Sequence, residues 1–259
     1  EGVNLPAPLV GMFEQWTHQR GGTNTFFMND QNPAGWWWSY FPVAIAIKST
    51  LVEVAAFVSL PVLVSIVWRR ADRVLHVWVA ALASCAVSLL LTKVDIGVRY
   101  ALPLYPLALL VVADSLAALR LRPTIVAAVA MAAVAGQAVS AAAVAPHYLS
   151  YFNGFVGGPS EGYRYLADSN LDWGQDLDRL SRRLAELQAK EVSLKYFGSA
   201  LLEKAGLPTY WDLDAQKPVK GWVAISAHYL YLENAHDGSF AWLKAYTPRE
   251  RIGKSIDLF

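Results

Sequence analysis

GWWWSYFPVAIAIKSTLVEV, residues 35–54, opens with three tryptophans, runs into aliphatic side chains, and then sets Lys48 and Glu53 inside the apolar run. Amphipathic rings prefer the headgroup level of a bilayer, where one edge stays wet. Trp36, Trp37, Trp38 and Tyr40 therefore read as the water-side end of a membrane span. The composition agrees: of 259 residues, 55% are hydrophobic and only 17% charged, against roughly 25% charged in soluble domains. A formal net charge of +1 supplies no bulk field for nucleic acid or a strongly acidic substrate. Cys85 is the single cysteine, which excludes a disulfide framework and a cysteine-based zinc site.

Four stretches are apolar enough to cross about 30 Å of hydrocarbon at 1.5 Å per residue, namely 43–67, 74–91, 100–119 and 124–145. Beyond them charge density rises and Gly and Pro recur, as in a soluble domain. The expected fold class is an α-helical membrane bundle of four transmembrane helices followed by a small α/β extracytoplasmic domain. Its parts are an extracytoplasmic loop over 1–42, the bundle over 43–145 and the α/β domain over 146–259. Arg69, Arg70 and Arg73 crowd one short turn and Arg120 and Arg122 another, so both turns are expected in the cytoplasm. Ala128, Ala132, Gly136 and Ser140, spaced by four, form either a ridge for close helix approach or an incidental feature of an Ala-rich helix.

The intramembrane charges carry more information. Lys48 falls about two turns inside the first span, where its stem could snorkel outward or its ammonium could serve a ligand. Glu53 falls near mid-depth, where an acid costs about 2.5 to 3.5 kcal/mol unless protonated or partnered, so it is expected to face a protein interior or wet cavity. Asp114 reads as structural. Arg99 opens DIGVRYALPLYP, with Pro103 and Pro106 near the helix start. Two outward helix N-termini, with Lys48 on one and Arg99 at the mouth of the other, could converge on one anion. A guanidinium fork suits phosphate; an arginine pairing nonspecifically with lipid phosphate is the competing reading.

These residues carry a resemblance. GWWWSYFPVAIAIKST resembles the G-W-W-x-Y-F…K-T-P stretch of polytopic GT-C membrane glycosyltransferases of the family 39 type, which includes protein O-mannosyltransferases and aminoarabinose transferases. DIGVRYALPLYP resembles their G-x-R-Y-x-x-P-x-x-P stretch, and YFNGFVGGPSEGYRYLADSNLDWGQDL a segment of many bacterial members. Thr50 stands where the family usually has proline. The resemblance implies an inverting transferase in the bacterial inner membrane that takes a sugar from a polyprenyl-phosphate donor at the extracytoplasmic face. Lys48 and Arg99 would hold the donor phosphate, while Trp36, Trp37, Trp38, Tyr40, Glu53 and Tyr100 shape the cavity. The family's catalytic acid lies in an earlier loop, so the chain is expected to be an inactive C-terminal portion needing N-terminal transmembrane segments as partners. Its start at Glu1, without a leader, fits that expectation; Glu14 and Asp30 do not match the catalytic position. No cofactor is identified, and a divalent cation finds no support in this chain. A membrane-anchored carbohydrate-binding or assembly module without transfer chemistry is the alternative, and a transporter using Glu53 a third.

In the C-terminal part, ADSNLDWGQDLDRL alternates Asp168, Asn170, Asp172, Asp176 and Asp178. A calcium loop starting at Asp168 would need glycine sixth and an acid twelfth, where Trp173 and Arg179 stand. A helix start is the better account, with Asn170 or Asp172 as cap and Leu177, Leu180, Leu184 and Leu187 as apolar stripe. The resemblance marks Asn170, Asp172, Trp173 and Gln175 as typical of the family's outer domain without saying what they bind. Strands are expected in VSLKYFG, GWVAIS and RIGKSIDLF, with helical stretches around 199–205 and 239–246 and a sheet that could be parallel. GKS at 253–255 lies in a strand-like run and lacks the earlier glycine of a phosphate-binding loop. His228 and His236 read as surface or turn histidines.

Overall fold

The computed structural model describes residues 25–28, 30–32, 38–95, 97–233 and 238–259. The chain divides into two units, one of 1–25 with 32–143 and one of 26–31 with 144–259. A short hairpin, β1 (Thr25–Phe27) and β2 (Asp30–Asn32), crosses the division. Its tip joins the C-terminal unit, where Met28 N–H donates to the Tyr165 carbonyl at 2.9 Å.

The first unit contains α1 (Tyr40–Lys48), α2 (Leu51–Val67), α3 (Arg73–Leu91), α4 (Leu104–Ala118) and α5 (Pro123–Val144). The apolar run expected to form one span over 43–67 is thus two helices. Ser49 and Thr50 adopt extended backbone between them, and the Thr50 hydroxyl accepts the Glu53 N–H while the Glu53 carboxylate accepts the Thr50 N–H. This reciprocal cap starts a new helix where continuous hydrophobicity suggested none. Three helical stretches, Arg73–Leu91, Val98–Ala118 and Pro123–Val144, are long and apolar enough to cross a membrane. α2 is apolar but has 17 residues, about 25 Å at 1.5 Å per residue.

α4 is the centre of this unit and packs on both α2 and α3. Leu60 and Val67 of α2, Leu75 of α3 and Ala108 and Val111 of α4 form its buried seam. Asp72 caps α3 by accepting the Leu75 N–H at 3.0 Å. α5 buries no residue and meets α2 through a narrow stripe. A Cβ at Gly136 would stand 2.6 Å from Val52 Cγ2, and Gln137 Nε2 donates to Glu53 Oε1 at 2.9 Å. Gly136 and Ser140 lie on the half-buried side, whereas Ala128 and Ala132 are exposed. The small-residue ridge is therefore used only in its second half.

The C-terminal unit is built on a five-stranded mixed sheet of order β4-β3-β5-β7-β6. β3 (Glu191–Lys195), β4 (Thr209–Asp212) and β5 (Val223–Ser226) are parallel, while β6 (Glu250–Ile252) and β7 (Ile256–Leu258) close it as an antiparallel hairpin. The hairpin corrects the expected single strand over 251–259, and GKS forms its turn. β4 was not anticipated, because an edge strand with mostly exposed side chains shows no alternation to read. The expected helical stretches near 199–205 and 239–246 are the short 3-10 turns Leu202–Lys204 and Ala241–Ala245.

α6 (Leu177–Glu186) lays Leu177, Leu180 and Leu184 on one face of the sheet, against Val192, Leu194, Ile256 and Leu258. Its N-cap is Asp176, not Asn170 or Asp172, and the Asp176 side chain makes no capping bond. Instead this buried carboxylate reaches the hairpin turn. It accepts the Lys254 N–H at 3.0 Å and the Ser255 hydroxyl at 2.9 Å, with Arg179 Nη1 at 2.8 Å supplying the charge. Gly253, at φ +64, leaves room for it: a Cβ there would overlap the Asp176 carboxylate.

Gly253→Ala therefore combines left-handed strain with loss of that seat and is expected to destabilise this unit by about 2 kcal/mol or more. Gly221→Ala, at φ +97 with nothing within 4 Å of the added Cβ, measures strain alone. Urea midpoints of the two variants should differ clearly; equal midpoints would remove Asp176 as the anchor of the hairpin.

Candidate functional site

In the first unit, Lys48 is the last residue of α1, and the fully buried Ser49 follows it. Ser49 Oγ and the Tyr105 hydroxyl lie 2.8 Å apart, which ties the α1–α2 break to the first turn of α4. The 3-10 turn Val98–Ala101, carrying Arg99, packs against α1 and α3. The segments bearing the two cations are thus neighbours. Arg99 is exposed and its guanidinium carbon lies 5.2 Å from the centroid of the half-buried Tyr100 ring.

The expected convergence of two helix N-termini is corrected by this geometry. Lys48 stands at the carbonyl end of α1, the N-terminus of α2 is closed by Thr50 and Glu53, and Arg99 sits in a 3-10 turn ahead of α4. Any anion bound here would be held by side-chain cations rather than by helix dipoles. Glu53 is likewise no open cavity acid: one oxygen accepts the Thr50 N–H at 2.8 Å and the other the Gln137 amide at 2.9 Å. Trp38 is 68% exposed, as an interfacial ring requires, but Tyr40 is 1% exposed and packs edge-on against Phe41. Tyr40 is a core residue. Glu14, Trp36, Trp37 and His236 lie outside the described residues, as does the side chain of Asp30.

The C-terminal unit holds a second constellation, built around the motif at 172–175. Asp172 is fully buried, and its Oδ1 accepts the Gly174 N–H at 2.8 Å. Gln175 folds back so that its amide oxygen accepts the Trp173 N–H at 2.8 Å and its Nε2 donates to the Leu171 carbonyl at 3.0 Å. The Trp173 indole donates to the Ser169 carbonyl at 3.2 Å, and Asn170 donates to the Ala167 carbonyl at 3.3 Å. Gly174, at φ +76, admits the Tyr196 hydroxyl, which donates to the Gly174 carbonyl at 2.8 Å. The loop is therefore locked onto the chain just beyond β3. There Phe197 N–H donates to Ser226 Oγ at 3.0 Å, and the Phe197 ring stacks on His228 at 3.8 Å and 7°. His228, expected as an isolated surface or turn residue, opens a π-helical turn beyond β5 and is half-buried in this cluster. Phe197 and His228 were missed as partners of the motif because only the parallel pairing of β3 and β5 brings them together.

Among the described residues no group of three or more His, Cys, Asp or Glu side chains could hold a metal ion. The alternating acids diverge: Asp172 stays in its loop, Asp176 anchors the hairpin and Asp178 pairs with Arg182 at 2.6 Å in solvent. No family model, curated protein or solved structure matches the chain.

Burial pushes the Asp172 carboxyl up to about 6 from 3.8, against the pull of the Gly174 and His228 backbone amides, the Ser226 hydroxyl and the His228 side chain. The folded state thus holds this proton more tightly than the unfolded chain. The stability contribution falls as pH rises from about 4 to about 6, and ionised Asp172 costs about 3 kcal/mol above that window. Asp172→Asn keeps an acceptor for Gly174 and removes the charge. Its stability gain over the wild type should be largest above pH 6 and should vanish below pH 4, read by urea unfolding with fluorotryptophan NMR. A difference independent of pH would refute burial of the charge as the cause.

Proposed function

We propose that this chain acts in the transfer of a sugar from a polyprenyl-phosphate donor to an acceptor at the extracytoplasmic face of the bacterial inner membrane. Lys48 and Arg99 grip the donor phosphate. The observation that carries this reading is the packing of the Arg99 turn against the helix that ends in Lys48, which brings two cationic segments together beside apolar helices. A phosphate monoester or diester carries charge that a guanidinium fork and an ammonium bind through short, charge-assisted hydrogen bonds. The polyprenyl tail needs only apolar surface, which α3 and α5 expose along their length. Tyr100 beneath the guanidinium restricts its swing and adds a cation–π contact.

In this reading the arginine turns at Arg69–Arg73 and Arg120–Arg122 face the cytoplasm, and the C-terminal unit lies on the donor side. α2, with the broken segment before it, serves as the fourth span. The catalytic acid and further transmembrane helices come from polypeptide that joins this chain at its N-terminal side, and α5, with no buried residue of its own, is where such helices have surface to cover.

Binding of polyprenyl monophosphate to the chain in lipid nanodiscs tests the phosphate role directly, with uncharged polyprenol as the control. Losing one charged hydrogen-bonding partner is worth about 1.5 to 3 kcal/mol, so Arg99→Ala and Lys48→Met should each weaken the phosphate lipid by about 10- to 100-fold. Neither should change polyprenol binding. Equal affinity of the wild type for both lipids would refute the assignment.

A further inference from the structure

α5 (Pro123–Val144) is one of the helices long and apolar enough to cross a membrane, and Val144 is both its last residue and the point where the C-terminal unit resumes. At 1.5 Å per residue its 22 residues cover about 33 Å, close to the roughly 30 Å of hydrocarbon in a bilayer. The chain that follows therefore emerges in the headgroup layer. Four residues of fully extended chain reach at most about 14 Å, so covalent connection alone keeps 145–148 near that layer.

The residues there are not those of a polar linker. His147 is followed by Tyr148, 60% exposed, and by exposed Leu149, and the turn Gly154–Val156 holds out Phe155, 72% exposed. Among the described residues, neither the Tyr148 hydroxyl nor the Phe155 ring has a hydrogen-bond or ring partner. The backbone between them is nonetheless fixed. Ser150, Phe152 and Asn153 are buried, Ser150 Oγ donates to the Leu171 carbonyl at 3.3 Å, and Asn153 Oδ1 accepts the Phe155 N–H at 3.1 Å. A segment anchored in the fold thus presents two large rings outward.

Positive charge lies beside it. His147 Nδ1 is 4.0 Å from Asp176 Oδ1, and the same carboxylate gathers Arg179 Nη1 at 2.8 Å and the Lys254 N–H at 3.0 Å. Burial lowers the His147 pKa, the Arg179 and Lys254 charges add to that, and Asp176 opposes it. The buried Asp176 offsets one cation, while the Lys254 ammonium has no ion-pair partner among the described residues. Asp178, the next acid on α6, pairs with Arg182 at 2.6 Å. The cluster beside Tyr148 therefore keeps a net positive charge.

Amphipathic and aromatic rings settle at the headgroup level, and Lys and Arg pair with lipid phosphate while aliphatic groups enter the acyl boundary. We propose that the face formed by Tyr148, Leu149 and Phe155 with His147, Arg179 and Lys254 docks on the headgroup layer into which α5 emerges, and favours anionic phospholipid. Docking limits the swing of the C-terminal unit about its tether. It needs α5 to cross the bilayer and does not need the transferase reading.

Spin labelling of the full chain in nanodiscs, one chain per disc, tests the docking. In a Cys85→Ala background a nitroxide is attached through Tyr148→Cys, Phe155→Cys or, as control, Lys217→Cys. Lys217 is exposed and follows Leu213 and Ala215, which pack on the sheet face opposite α6. Relaxation by oxygen, which concentrates in lipid, is compared with relaxation by a water-soluble nickel chelate. Position 155 decides, because eleven residues after Val144 allow it to stand up to about 38 Å away in water. Oxygen should dominate at 148 and 155, and nickel at 217.

Each basic residue at an anionic surface is worth about fivefold. In an equal mixture of phosphatidylcholine and phosphatidylglycerol, Lys254→Gln should therefore lower the ratio of immersed to water-exposed label at 155 about fivefold. Lys254→Arg should retain the ratio, and in pure phosphatidylcholine Lys254→Gln should change it little. The Lys254 backbone amide, not its side chain, holds Asp176, so these variants keep the hairpin turn. Nickel-dominated relaxation at 155 in both lipids, or oxygen dominance at 217 equal to that at 155, would overturn the docking. A label at 155 shielded from both reagents would show protein rather than lipid on this face and would overturn it as well. An unchanged ratio for Lys254→Gln in the anionic mixture would overturn the preference for anionic phospholipid.

Discussion

The reciprocal cap between Thr50 and Glu53 is the interaction on which the membrane unit depends. Without it, the apolar run from Val43 to Val67 would continue as one helix, with an acid near mid-depth and a lysine two turns from the end. With it, the backbone N–H of Thr50 is satisfied, the Glu53 carboxylate gains a second donor from Gln137, and Lys48 is delivered to a break between helices. A buried amide left without a partner costs about 1 to 3 kcal/mol, and the Glu53 carboxylate, three residues on, removes that cost at the break. The same carboxylate holds α5, whose contact with α2 otherwise rests on Gly136 and Val52. One acidic side chain therefore sets the helix break, the position of Lys48 and the docking of the last helix.

The C-terminal unit uses carboxylates in two contrasting ways. Asp176 is buried and saturated, receiving Arg179, Lys254 and Ser255, and the hairpin turn is shaped around it. Asp257 is similar: it meets the Arg251 fork at 2.6 and 3.1 Å and the Tyr231 hydroxyl at 3.0 Å. The Arg251 guanidinium in turn lies 4.5 Å from the Tyr163 ring centroid, so the same pair clamps the 158–164 loop to the sheet. Asp172 is the exception. It is equally buried, but the cost of burying its charge outweighs the hydrogen bonds it accepts, and its charge opposes folding at neutral pH.

Much of the membrane unit was legible because bilayer thickness imposes a length that apolar runs either meet or miss. Three of the four expected stretches appear as helices long enough to cross. The break in the remaining one was also written in the sequence, as Thr50-Leu51-Val52-Glu53, a Thr with Glu three residues later. Hydrophobicity masked it, since a capping signature weighs little against eighteen apolar positions until the backbone is seen to turn. In the C-terminal unit the amphipathic α6 and the strands β3 and β5 announced themselves by periodicity, whereas β4 and the β6–β7 hairpin are short and their turns carry the information. The least legible element was the candidate site itself. Trp173, Phe197 and His228 are separated by 24 and 31 residues along the chain, and only strand order makes them neighbours.

That contrast bears on which parts of the fold serve stability and which serve binding. Asp176 and Asp257 are saturated by partners that the folded unit supplies, and that geometry accounts for their burial. An acid that is buried and unfavourable when ionised needs another reason to be there, because asparagine would hold Gly174 equally well without the electrostatic cost. In this fold that acid lies in the loop that the Tyr196 hydroxyl locks onto the chain just beyond β3.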